Sequence, residues 1–232
     1  MDRDQQYQAL ISALQNINAL VATIVITEPE VFPDFPRVAY APGMSWELDG
    51  VKHAFHTQTF KLAMLKSGMM SMRTLSNFLG IGVSSKLPYV LIEKSLPGPT
   101  SDDLHWSHVV NARALTLNDV NAFSRLDHPL IDEHNTIVPF SEMYLRTLKA
   151  SDKVVAHLTH DSEWSSPYYG AILGVGTFLI SAIQIAVLQP SWNDTFDELV
   201  FANTRLLLPS KHLDEYLKMF NAYHADLQLV LA

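Results

Sequence analysis

Residues Tyr168–Leu188 read YYGAILGVGTFLISAIQIAVL, and the fold turns on what this stretch is. Its clearly polar side chains are Thr177, Ser181 and Gln184. Its length is near the roughly 20 apolar residues that a bilayer span needs. Gly170 and Gly174 form a G-x-x-x-G pair, which lets a neighbouring helix come close in lipid and in a protein core alike. No Lys or Arg flanks the stretch and no second span accompanies it, so we expect a buried central helix and no membrane partner. Gly170, Gly174 and Gly176 do not follow G-x-G-x-x-G, so a dinucleotide loop is not indicated.

The rest of the chain supplies helices to surround that core. Of the 232 residues, 48% are hydrophobic and 17% charged, ample for a core and too apolar for disorder. Residues 2–22 carry Tyr7, Leu10, Ile11, Leu14, Ile17 and Val21 at helical spacing, and the β-branched run from Val21 to Ile26 extends the helix or forms a short strand. Pro29, Pro33, Pro36 and Pro42 make residues 28–50 an extended loop with room for short strands. Residues 51–79 read as the best helix, with Phe60, Met64, Met72, Leu75, Phe78 and Leu79 on one face and Gly80 and Gly82 ending it. Further helices are expected near 102–112, over 117–133 behind Thr116 or Asn118, over 141–160 behind Ser141, over 167–188 up to Pro190, and from Ser210 to Leu231. The expectation is a mainly α fold: residues 1–232 as one helical bundle of five to seven helices, with the proline-rich loop after the first.

Composition narrows the function. The net charge of −8 and the scatter of the 16 basic residues disfavour nucleic acid and anionic membranes as partners. The absence of cysteine excludes disulfides, thiolate catalysis and Cys-ligated metal. The acidic start Met1-Asp2-Arg3-Asp4 is unlike a signal peptide, so a cytoplasmic location is expected. The apolar surplus suggests self-association as a homodimer or higher oligomer.

Histidine spacing offers the first candidate chemistry. His53/His56, His105/His108 and His157/His160 are H-x-x-H pairs, and on a helix such a pair faces one side and can share a metal. With Asp161 beside His157 and His160, a divalent zinc or iron site has its ligand types, although no cofactor is required by the sequence. The plainer reading is helix-surface or helix-end histidines bonded to carbonyls. A second candidate is the stripe Lys66, Met70, Arg73 and Asn77, able to hold an anion or simply to face solvent. A third is Lys153 one turn before His157, where the lysine charge keeps the imidazole neutral and able to act as a base.

Two segments resemble elements of a group of uncharacterised bacterial helical proteins. One runs from His56 to Leu79 and ends Met72-Arg73-Thr74-Leu75-Ser76-Asn77-Phe78-Leu79; the other, Lys149 to Thr159, is similar to that group's "AxxKxVAHLT" element. The resemblance implies a helical fold and directs attention to Arg73, Lys153, His157 and Thr159, with Asn77 beside them. A looser similarity is to HEPN-like helical ribonucleases, whose signature sets an arginine and a histidine a few residues apart on one helix; here the gap from Arg146 to His157 is longer.

Whether the chain is an enzyme stays open at this level. The reading that needs least coincidence is a non-catalytic, homo-oligomeric module that binds a partner or ligand. The alternatives are a metal-dependent hydrolase or oxidase using H-x-x-H pairs, and a HEPN-like ribonuclease using His157 with Arg73. Any site is expected where the Arg73 helix meets the end of the His157 helix.

Overall fold

A computed structural model describes residues 3–27, 45–48, 51–54, 57–96, 104–126, 128, 130–131, 136–156, 169–191 and 210–232. Helices dominate them. They are α1 (Arg3–Thr27), α2 (Thr57–Phe78), α3 (Leu117–Ser124), α4 (Phe140–Ala156), α5 (Tyr169–Ile183) and α6 (Ser210–Leu231). Three antiparallel two-stranded ribbons lie between them: β1 (Ser45–Leu48) with β2 (Val51–Ala54), β3 (Ile81–Val83) with β4 (Leu91–Glu93), and β5 (Leu130–Ile131) with β6 (Ile137–Val138). The result is the mainly α bundle that the periodicities imply.

Helix α5 is the axis of this bundle. It packs against α1, α2, α4 and α6, and Val175, Phe178, Leu179, Ala182 and Ile183 are all fully buried. Burying one such large side chain stabilises by about 1.5–3 kcal/mol. Of the G-x-x-x-G pair, Gly174 gives room to Leu130 of β5 rather than to a helix, and it is Gly176, outside the pair, that lets a helix come close. A Cβ on Gly174 would lie 2.5 Å from Leu130 Cδ2, and one on Gly176 would lie 3.2 Å from Ile24 Cδ1 of α1. No helix among the described residues is long and apolar enough to cross a membrane.

Pro190 does not close this helix. After Ile183 the chain widens into a π turn, Gln184–Leu188, and continues helically through Gln189–Ser191. A proline inside a helix removes the amide that would bond the carbonyl four residues earlier. That carbonyl belongs to Ala186, and it accepts instead from the Arg113 amide at 2.9 Å.

Other boundaries also differ from expectation. Helix α1 runs on to Thr27, so the β-branched run extends it; Val21 and Ile24 lie in the core. Residues 51–54 form strand β2, and the helix starts at Thr57. The Asp49-Gly50 dipeptide between β1 and β2 is a strong hairpin former. The ribbon also supplies the short strands expected near the proline-rich loop, whose residues 28–44 and 49–50 lie outside the described residues. Helix α3 stops at Ser124, with Arg125 as its C-cap, rather than reaching 133. Pro129 disfavours helix at the residue before it, which bars the expected run to 133. Of the helix expected near 102–112, the described residues from 104 onward hold one 3-10 turn, Trp106–His108. Ser141 lies inside the first turn of α4 rather than capping it, and its amide donates to Ser124 Oγ at 3.0 Å.

The end of α2 prepares the site. Gly80 adopts φ +89°, a left-handed conformation that favours glycine, and its amide donates to Asn77 O at 3.0 Å. The chain then turns into the β3–β4 ribbon, with Ile81 opposite Glu93, Gly82 opposite Ile92 and Val83 opposite Leu91. The Lys94 amide donates to Gly80 O at 2.8 Å, and the Leu115 amide to Leu79 O at 2.9 Å. Both bonds draw the segments after β4 and before α3 onto the C-terminal end of α2. Underneath, Ser76 Oγ donates to Ile81 O at 2.9 Å and meets the buried Tyr144 hydroxyl of α4 at 2.7 Å.

Candidate functional site

A cleft of about 670 Å³ opens at this end of α2. Ser12 of α1, Thr74, Asn77 and Phe78 of α2, and Ile92, Glu93, Lys94 and Ser95 from β4 and its continuation line it, with Leu104 and His105. Volumes of roughly 300–1,000 Å³ are usual for small-molecule sites. The lining mixes an apolar floor (Phe78, Ile92, Leu104) with hydroxyl, amide, ammonium and imidazole groups.

His105 is the most informative residue of the wall. It is the N-cap of the 3-10 turn, and its Nδ1 accepts from the Ser107 amide at 3.3 Å. The His105 amide in turn donates to His108 Nδ1 at 3.1 Å. The two histidines thus form a reciprocal capping box, in the geometry that Ser/Thr with Glu/Gln usually supply. This is one of the H-x-x-H pairs, and its two Nδ1 atoms accept from backbone amides, where the plainer reading had carbonyls as partners.

The cap also fixes the proton. An Nδ1 that accepts a hydrogen bond keeps its lone pair, so the neutral ring carries its hydrogen on Nε2. Burial is the main cause holding the His105 pKa below its ordinary value, with the charges of His108 and Lys94 adding to it. His105 is therefore a neutral Nε2–H donor. It is only 4% exposed, and its Nε2 is buried without a hydrogen-bond partner among the described residues. A buried unpaired donor costs about 1–3 kcal/mol.

Two neighbours shape the charge of the cleft. The stem of Lys94 lies across Gly82, where a Cβ would meet its Cε at 2.6 Å and its Cδ and Cγ at 3.2 Å. Glycine there leaves a flat surface along which the lysine can lie. The Glu93 carboxylate is engaged elsewhere: Oε1 accepts from the Leu117 amide at 2.8 Å, at the start of α3. A negative charge is favoured there by the helix dipole.

The structure gathers some sequence candidates here and not others. Asn77 lines the cleft. Lys66 and Arg73 on the same stripe are partly buried, and Met70 is 49% exposed, so the stripe is neither a fully solvated face nor a sealed one. Lys153 lies within α4, which packs on α2, so the helices of Arg73 and Lys153 are neighbours as anticipated. His157, Thr159, His160 and Asp161 lie outside the described residues, as does His56. His53 sits on strand β2 rather than on a helix. Among the described residues no group of three His, Asp or Glu side chains is placed to hold a metal ion. Lys94 and Ser12 carried no motif in the sequence; for His105, the H-x-x-H spacing was the available signal.

A second histidine, His128, sits in a different setting. Its Nε2 lies 2.6 Å from Asp226 Oδ2 of α6, while its ring stacks on Phe123 at 5.0 Å and packs against Tyr223 at 4.4 Å. Packed against two aromatic rings and with its Nε2 held by a carboxylate, it anchors α6 to the end of α3. Comparison with protein-family models, curated proteins and solved structures returned no match.

Proposed function

We propose that this chain is a non-catalytic binding module whose cleft beside α2 and β4 holds a small ligand. The observation that carries the reading is a cleft of ligand size whose lining includes His105, a residue with a buried Nε2 left without a partner among the described residues. The cap supports binding over catalysis. The lone pair a general base would use is on Nδ1, where the Ser107 amide engages it. Self-association belongs to the same proposal. It rests on the apolar excess of the sequence and on side chains such as Leu229, 79% exposed on α6.

The test is a screen of a mixed-charge fragment library, followed through the imidazole resonances of His105 in protein labelled at histidine. Binding in the cleft shifts the His105 signals and leaves those of His128 in place. A library in which no member moves His105 removes the reading. Light scattering at micromolar concentration tests self-association, and a monomer removes that part.

A further inference from the structure

We draw no further inference here: the strongest candidate, the side-chain cluster of Ser12, Thr74, Asn77 and Ser95 lining the cleft beside α2 and β4, belongs to the site already described, and its hydroxyl and amide groups accept and donate alike and so select no ligand chemistry beyond it.

Discussion

Gly68→Ala tests how α1 and α2 are fitted together. A Cβ at Gly68 would lie 2.4 Å from Thr23 Cγ2 and 2.7 Å from both Thr23 Cβ and Oγ1. Carbon atoms pack at about 3.5–4.0 Å, so the helices would have to part by about 1 Å. Thr23 has little freedom to yield. It is fully buried, its Oγ1 donates to Ala19 O at 2.8 Å, and its Cβ moves only with the backbone. Overpacking costs about 1–3 kcal/mol, and an unyielding contact belongs in the upper half of that range. Replacing glycine by alanine in a helix returns up to about 1 kcal/mol. The net expectation is a loss of about 1–2 kcal/mol. With Thr23→Gly in place the obstructing atoms are gone, and the same change should gain about 1 kcal/mol. Urea unfolding of the four proteins of this cycle, followed by far-ultraviolet circular dichroism, reads the coupling, about 2–3 kcal/mol. If Gly68→Ala costs the same in both backgrounds, or stabilises the wild type, the close crossing does not exist as described.

Ser76→Ala should cost about 1–3 kcal/mol, because it strands both Ile81 O and the buried Tyr144 hydroxyl, whereas Tyr144→Phe leaves the Ser76–Ile81 bond intact and should cost less; denaturation midpoints rank the two, and the reverse order would contradict the network. His105 makes stability depend on pH. Its folded-state pKa is lowered, chiefly by burial, so between that value and the unfolded value of about 6.5 the unfolded chain binds more protons. Stability should therefore fall as the pH drops through about 6.5 and level off below the folded value. His105→Asn should flatten that part of the profile measured by urea titration from pH 8 to 5, and superimposable slopes in the two proteins would refute the assignment.

What the sequence shows and what it hides separate along local and long-range lines. Tyr168–Leu188 declares itself because it is apolar on every side and its glycines have a packing use, which Leu130 and Ile24 confirm. Its end could not be placed at Pro190 by any local rule, since the amide that supports Ala186 comes from Arg113, far away in the chain. Strand β2 was within reach: Asp49-Gly50 is a hairpin signal, but the helical spacing downstream outweighed it. The truncation of α3 was legible too, in Pro129. The candidate site was half visible. H-x-x-H spacing marked His105 and His108, yet spacing alone implies side chains sharing a helix face, whereas here they close a single turn by bonding its backbone. Lys94 was invisible, because its placement depends on Gly82, which on sequence alone reads as a helix stop.

The position of α5 bears on how the protein comes apart. Because it touches α1, α2, α4 and α6, each of those helices spends part of its apolar face on this one partner. Loosening α5 bares all four at once, so its amides should exchange with solvent only through global opening, at the full stability of the fold. The same arrangement denies the chain a self-sufficient half. A fragment ending before Tyr169 keeps the contacts of α2 with α1 and with α4, but lacks the helix against which all three pack.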